Sequence, residues 1–315
     1  MIRYVIKRIL QMIPIVLGVS FIVFLMMSLS PGDPARLILG INAAEVEVEQ
    51  LREELGLNAP LMLQYLSFVG NALQGDFGTS FTTRQSVAEM VAVRMVPTLI
   101  LSFGSLLVVM LVAIPLGIAL AVKQNSSFDN IMRVASLIMA AMPGFWLGLL
   151  LILFFSVQLR WLPSHGLDSM DAAVLPILCL SVSGWAIYSR LTRASMLDVI
   201  RQDYIRTARA KGLPERIVIR RHALKNALMP NITMVGMALG NSLGGSVIIE
   251  TLFGINGMGR MMVEALRQQD IPTVLSGVII TATVIAVANL LTDLAYAFVD
   301  PRIKSRYIRP KKVLS

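Results

Sequence analysis

Residues 9–29 read ILQMIPIVLGVSFIVFLMMSL, and this stretch decides the class of the protein. Its 21 residues carry no charge, and as a helix they would be roughly 31 Å long, enough to cross the hydrocarbon core of a bilayer. Arg3, Lys7 and Arg8 precede the stretch, as in a secretory signal peptide. However, the stretch is longer than the apolar region of a signal peptide, and no A-x-A-like cleavage site follows it. We therefore expect a retained first transmembrane helix.

Five further apolar segments have a comparable length: 97–122, 131–157, 174–195, 227–249 and 274–299. The third span, 131–157, is interrupted at Pro143-Gly144, which neighbouring helices in a membrane can accommodate. Across the 315 residues 56% are hydrophobic and 15% charged, whereas a soluble domain would carry charge on about a quarter of its residues. The sequence predicts an all-α membrane protein with about six transmembrane helices, and it argues against a soluble helical core.

The basic residues predict the orientation of the chain. With the N-terminus in the cytoplasm, 21 of the 28 Lys and Arg residues lie in segments on the inner side and seven on the outer side. The inner segments are then 1–10, 123–133, 190–226 and 300–315, and the outer ones 30–96, 159–173 and 251–273. Since basic residues accumulate on the cytoplasmic side, we expect both termini inside. The net charge of +9 belongs to this pattern, so we expect a lipid bilayer and no nucleic acid as a partner.

The first outer loop, 30–96, is too long to be a simple connection. Asn42 is placed to cap a helix that ends at Gly56, and Asn58-Ala59-Pro60 is placed to begin another that runs to about Leu73. The sequence thus predicts a small helical domain on the outer face. That domain either docks an extracytoplasmic partner or is a lid that only stabilises the bundle, and the sequence favours neither.

The chemistry needed for catalysis or ion coupling is scarce. The two histidines, His165 and His222, fall on opposite sides of the membrane, and no phosphate-binding G-x-x-x-x-G-K-[ST] sequence occurs. Carboxylates within the predicted spans are few, with Asp293 and Glu250 near span ends, where they would face interfacial water. We therefore expect that this chain is not an enzyme and has no metal or cofactor site. We also expect that another subunit supplies the energy for any transport.

The inner loop between the fourth and fifth spans carries the most informative sequence, DYIRTARAKGLP at residues 203–214. Asp203 is a good N-cap, Gly212 suits the position after the last helical turn, and Pro214 follows it. The pattern predicts a short, basic, self-terminated helix outside the membrane. Such a helix either lies on anionic lipid headgroups or docks into a groove on a partner protein, and its capping and small residues favour docking.

This loop resembles the cytoplasmic E-A-A-x-x-x-G loop of ABC importer permeases. Ala208 and Gly212 keep the spacing of that pattern, while Arg206 stands in place of its glutamate and Thr207 in place of its first alanine. The R-T-A-R-A-K-G form is similar to the peptide and nickel branch of these permeases. Further matches lie at 31–35, 75–80, 161–163 and 250–259, so the resemblance covers nearly the whole chain.

The resemblance implies a type I ABC importer permease fold in the bacterial inner membrane. It implies a translocation pathway shared with a homologous second permease, two cytoplasmic subunits that bind ATP and Mg, and an extracytoplasmic substrate-binding protein. The residues expected to couple to the ATPase are Tyr204, Arg206, Thr207, Ala208, Arg209, Ala210, Lys211 and Gly212. The residues expected along the pathway are Asn241, Ser242 and Glu250.

Peptides are the expected cargo, with a nickel or other metal chelate and glutathione as alternatives. An ion-coupled secondary transporter and an intramembrane enzyme are the alternatives of another class. The expected organisation is an N-terminus and first helix at 1–29, an outer helical loop at 30–96, a permease core at 97–299 and a basic cytoplasmic tail at 300–315. The core includes the coupling loop at 196–226.

Overall fold

The computed structural model describes residues 2–30, 32–40 and 42–299, without the side chains at 2–4, 232, 233, 236, 237, 241, 245 and 295–299. Within these residues the regular structure is helical, apart from one isolated bridge between Thr79 and Ser86. The predicted basic tail at 300–315 lies outside the described residues.

The helices follow one another along the described residues. They are α1 (Ile2–Ser28), α2 (Pro34–Leu39), α3 (Glu45–Glu54), α4 (Leu61–Ala72), α5 (Val87–Val122), α6 (Ser127–Ala141), α7 (Gly144–Leu151), α8 (Met170–Ile200), α9 (Asp203–Ala210), α10 (Glu215–Ile217), α11 (Leu224–Ala227), α12 (Met229–Leu252), α13 (Met258–Arg267) and α14 (Ile271–Val299). Two π-helical turns, Ile152–Gln158 and Val218–Ala223, continue α7 and join α10 to α11.

Four helical segments in the described residues are long and apolar enough to cross a membrane: Val5–Ser28, Val87–Val122, Met170–Ile200 and Ile271–Leu294. A fifth span results if Ser127–Ala141 and Gly144–Gln158 are counted together, and these two are bent by 102°. The predicted interruption at Pro143-Gly144 is therefore confirmed. The remaining predicted span, 227–249, is occupied by α12, which has 24 residues and is not among these five.

The helices form two compact units. One holds Leu99–Ile255 together with segments near both termini, and the other holds Val5–Thr98 and Asn256–Ala286. Each unit has its own apolar core. In the first, the buried clusters centre on Leu175 with Phe253, on Val109 with Tyr188, and on Met196.

Close helix packing in the unit that holds Leu99–Ile255 depends on glycine. A Cβ at Gly117 of α5 would lie 2.6 Å from the carbonyl oxygen of Ser189 and 2.5 Å from Cβ of Thr192, both on α8. Real side chains cannot approach backbone so closely, so only glycine fits here. This contact is the small-residue approach typical of membrane helices, and it fixes α5 against the half of α8 that leads to α9.

The loop at 30–96 contains the helices that its sequence predicts, with one difference at a cap. The helix after Asn42 is α3, but it begins at Glu45 with Ala44 at the N-cap, so Asn42 does not cap it. Gly56 follows the end of α3 with a φ of +68°, as expected of a residue after a helix. Pro60 is the N-cap of α4, which ends one residue before Leu73.

Candidate functional site

The candidate coupling helix is α9, between the long helices α8 and α12 in sequence. It starts one residue earlier than the sequence suggests, because Gln202 is the N-cap and Asp203 is already helical. Asp203 lies in the first turn, where its negative charge interacts favourably with the positive end of the helix dipole. At the other end Lys211 is the C-cap, and Gly212 has a φ of +74°. The predicted glycine stop is therefore present, and no side chain lies near the position that a Cβ on Gly212 would take.

Two side chains of α9 are buried against the rest of its unit. Ile205 and Ala208, three residues apart on one face, belong to an apolar cluster of buried residues from α5, α8 and the segment after α9: Ala121, Met196, Val218, Ile219, Ala223 and Ala227. An isolated helix of eight residues is marginal in water, so this packing holds α9 in place. Ala208, which the sequence assigned to the coupling surface, therefore faces its own chain.

The opposite face of α9 is exposed. Arg206, Thr207 and Ala210 lie on it, and Tyr204 and Lys211 are exposed at its edges. The Tyr204 hydroxyl accepts a hydrogen bond of 2.8 Å from the side-chain amide of Asn226, and Thr207 Oγ1 donates to the Asp203 carbonyl at 3.0 Å. This face is available for contact with another molecule.

Arg209 is the member of the predicted set that already has a strong partner in its own chain. Its Nε and Nη2 donate to the two carboxylate oxygens of Glu215 at 3.0 and 2.7 Å. The hydrogen bonds from Arg209 lower the pKa of Glu215, and those to Glu215 raise the pKa of Arg209. The pair is therefore charged at neutral pH and is lost only as the pH falls through the lowered pKa of Glu215. Because the pair is half exposed, it stabilises the turn at Gly212 by less than about 1 kcal/mol.

A cavity of about 260 Å³ lies in the same unit, between α5, α8 and α12. Its wall is mostly apolar and includes three serines and a tyrosine; the lining residues are Ser105, Leu106, Val109, Leu180, Ser183, Gly184, Ile187, Tyr188, Met234, Ala238 and Ser242. The Tyr188 hydroxyl donates to the Met234 carbonyl at 3.0 Å, so it joins α8 to α12 at this wall. Among the side chains that the structure describes, this wall carries hydroxyl groups and no charged group.

The three predicted pathway residues have different positions. Ser242 lines the cavity, whereas Glu250 is fully buried and is not part of the cavity wall. The expectation that Glu250 faces interfacial water is therefore wrong for this chain, because α7 and α8 pack against the end of α12 where Glu250 is buried. The Asn241 side chain lies outside the described residues.

The sequence did not predict a buried ion pair at the other end of the same unit. Asp129 of α6 is fully buried, and its two carboxylate oxygens accept from Nε and Nη2 of Arg193 on α8, both at 2.7 Å. The backbone N–H of Asn125 also donates to Asp129 at 3.0 Å, and Ser126 caps α6 by accepting from the backbone N–H of Asp129. This bidentate pair joins α6 to α8 seven residues before the end of α8. In the sequence, Asp129 is noticeable only as an acid within the inner segment 123–133, and no local pattern indicates that Arg193 is its partner.

A third buried carboxylate, Asp270, lies in the unit that holds Val5–Thr98 and Asn256–Ala286. Asp270 precedes α14 and accepts from the hydroxyls of Ser80 and Thr273 and from the backbone N–H of Phe81. It therefore caps α14 and fixes the turn at 79–86 to the start of that helix. The sequence distance of 190 residues between Ser80 and Asp270 explains why no local pattern pointed to this contact.

Comparison with known proteins gives agreement over almost the full length. A family described as "Binding-protein-dependent transport system inner membrane component" matches residues 113–305, and its N-terminal counterpart matches residues 1–102. The oligopeptide transport system permease protein AppB of Bacillus subtilis is 39% identical over 96% of this chain and 100% of its own. The glutathione transport system permease protein GsiC of Escherichia coli strain K12 is 41% identical over 96% of this chain and 99% of its own.

Solved structures agree on the fold. A chain of the MetNI methionine ABC transporter in an inward-facing conformation superposes with a TM-score of 0.59 at 18% identity, covering 67% of this chain and 96% of that one. A second crystal form of the same transporter gives a TM-score of 0.55 at 20% identity over the same shares. The predicted all-α permease fold is therefore confirmed.

Proposed function

This chain belongs to the family of binding-protein-dependent transport system inner membrane components, and we propose that it is the permease subunit of an ATP-driven importer of peptides. The full-length similarity to the oligopeptide permease of Bacillus subtilis supports this cargo. The observation that carries the mechanism is the position of α9, a short helix with one face in the core of its unit and the other exposed.

We propose that α9 is the coupling helix, which receives the movement of a cytoplasmic ATPase. Its exposed face, with Arg206 and Lys211, would lie in a groove of that ATPase, and Arg209 would contribute while remaining bonded to Glu215. The buried face would pass the movement on, because Ile205 and Met196 of α8 belong to one buried apolar cluster, which also holds Val218 and Ile219 of the segment after α9. Displacement of α9 would thus tilt the long helices instead of bending a loop.

The pathway is proposed to include the hydroxyl-lined cavity at Ser242. The described side chains of this wall are serines, a tyrosine and apolar residues without charge. Such a wall suits a peptide, because it offers weak hydrogen bonds to backbone amides and does not retain the cargo. Asn241 and Glu250 remain proposed pathway residues on the same helix, α12. A homologous second permease would complete the conduit, since a cavity of this size holds no more than part of a peptide.

The remaining partners are proposed from the family description and from the distribution of charge. The family description names a binding protein, and we propose that it delivers cargo on the side of the loop at 30–96. ATP and Mg would be bound by two cytoplasmic ATPase subunits, and this chain would carry out no covalent chemistry. Both termini would lie in the cytoplasm, consistent with the distribution of Lys and Arg.

Uptake of glutathione is the second candidate, because GsiC is as similar to this chain as the oligopeptide permease is. The test reconstitutes the complete transporter in proteoliposomes with ATP inside and offers a labelled pentapeptide, a dipeptide, glutathione or a nickel chelate outside. We expect the binding protein and ATP hydrolysis to be required, and peptide to be taken up best. Preferred uptake of glutathione or of the nickel chelate would replace peptides as the proposed cargo. Uptake driven by a proton gradient without ATPase subunits would refute the assignment to an ATP-driven importer.

A further inference from the structure

The helix α4, in the loop at 30–96, is not placed where a water-exposed loop helix would be. Its residue Tyr65 is buried, and its hydroxyl donates to the backbone carbonyl of Leu17 on α1 at 2.8 Å. The same hydroxyl is 2.8 Å from the hydroxyl of Ser20. The Tyr65 ring packs on Phe21 and Phe24, with centroid distances of 5.1 and 5.6 Å.

These contacts fix the depth of α4 relative to the bilayer. The span in α1 runs from Val5 to Ser28, so Leu17 lies about 18 Å from one end and about 16 Å from the other. The hydrocarbon core is about 30 Å thick, so the Tyr65 hydroxyl lies near its middle. A tyrosine side chain is shorter than two helical turns, about 11 Å, so the backbone of α4 at Tyr65 also lies within the hydrocarbon.

The composition of α4 agrees with that depth. Its sequence, LMLQYLSFVGNA, has no charged residue, whereas α3 in the same loop contains five glutamates and one arginine. The exposed side chains of α4 are mostly apolar, chiefly Met62, Leu63 and Leu66, and the polar ones among them are Ser67 and Asn71. At the start of α4, the Gln64 amide donates to the carbonyls of Leu57 and Ala59, so this polar group is satisfied within the loop.

We propose that α4 is a membrane-embedded helix whose exposed apolar face contacts the acyl chains of the leaflet on the side of the loop at 30–96. On α1, Ile22 is exposed to a similar degree, 58% against 56% for Leu66. The polar groups at the contact with α1 bond to one another, as the absence of water in hydrocarbon requires. With 12 residues α4 is too short to span the membrane, so it enters and leaves on one side.

The test places single spin labels in the complete transporter reconstituted in lipid, with Cys179 replaced by serine and the cysteines of the other subunits removed. Leu66→Cys probes α4, with Ile22→Cys as the lipid-exposed control. Val46→Cys on α3 is the matched aqueous control, since Val46 and Leu66 are 69% and 56% exposed. Collisions are measured with oxygen, which partitions into hydrocarbon, and with a nickel chelate, which stays in water.

We expect the label at Leu66 to resemble that at Ile22, with oxygen collisions exceeding nickel collisions several-fold, and the label at Val46 to show the reverse. A Leu66 label that behaves like Val46 would overturn the proposal in favour of a water-exposed helix. A label shielded from both reagents would overturn it in favour of a face covered by protein, either the second permease or the binding protein. Peptide uptake measured on the same preparations separates this result from the proposed function.

Discussion

Replacement of Ile205 by alanine is the sharpest test of how α9 is held. Ile205 is fully buried, and its side chain fills the cluster around Met196. Truncation of a buried isoleucine to alanine costs about 2–5 kcal/mol through lost burial and the cavity left behind. Because α9 is too short to persist alone, this free energy is lost from its docking, so the undocked state becomes roughly 30- to 4,000-fold more populated.

Hydrogen–deuterium exchange of the peptide that covers α9 measures this population in the reconstituted transporter. We expect exchange to accelerate strongly in Ile205→Ala, and about 2- to 12-fold in Ile205→Val, which costs about 0.5–1.5 kcal/mol. Arg206→Ala is the control, because Arg206 is 74% exposed on the same helix and leaves the packing intact. The stimulation of ATPase activity by loaded binding protein should fall with the exchange protection.

Packing of Ile205 does not hold α9 if this peptide exchanges at the wild-type rate in Ile205→Ala, or if Arg206→Ala accelerates its exchange to the same degree. Either result would mean that α9 is held by something other than its buried face. Full stimulation of the ATPase in Ile205→Ala, with α9 undocked, would leave the packing account intact but would remove Ile205 from the coupling path.

Three further predictions concern named contacts. Gly212→Val should abolish ATPase stimulation by loaded binding protein, because a residue with a Cβ costs about 1–2 kcal/mol in this left-handed conformation. Gly212→Asn should retain the stimulation, because asparagine tolerates the conformation best, and equal stimulation in both variants would reject the role of Gly212 in ending α9. Arg209→Glu should weaken co-purification of the ATPase, because it removes a cation from α9 and places like charges beside Glu215. Adding Glu215→Arg should restore part of the co-purification by re-forming the pair with reversed charges, and wild-type co-purification in the single variant would refute the role of Arg209. Arg193→Met should remove the bidentate partner of the buried Asp129 carboxylate and leave only the longer contact with Arg133 at 3.8 Å. We expect a cost of up to about 3–5 kcal/mol and a lower melting temperature of the purified chain, whereas Arg193→Met with Asp129→Asn should recover most of it; unchanged melting in the single variant would refute the assigned role of the pair.

The elements that the sequence predicted well are those with a local cause. The break at Pro143-Gly144 needs only a proline and a glycine in an apolar run, and the end of α9 needs only Gly212 followed by Pro214. Both follow from the dihedral angles that these residues allow. The prediction that Asn42 caps α3 was wrong, because a local pattern does not decide which of the residues 42–44 is the N-cap, and in the structure it is Ala44.

The contacts that the sequence did not predict are formed between distant residues. Asp129 and Arg193 are 64 residues apart, and Arg193 looked like one basic residue among the many that indicate orientation. The burial of Ala208 likewise depends on Val218, which folds back through a π-helical turn that no local pattern announced. Such facts require the packing of several helices, and hydrophobic periodicity alone does not specify it.

The Asp270 cap has a consequence for how this chain tolerates change. Since one carboxylate accepts hydrogen bonds from both the turn at Ser80 and the first turn of α14, neither partner can be exchanged with a homologous sequence independently of the other. A chimera that grafts residues 30–96 from a relative should therefore carry its own residue 270 with it. In recombination between such proteins, a crossover separating the two would leave the buried Asp270 carboxylate without the Ser80 hydroxyl, with Thr273 and the backbone N–H at 81 as its remaining donors.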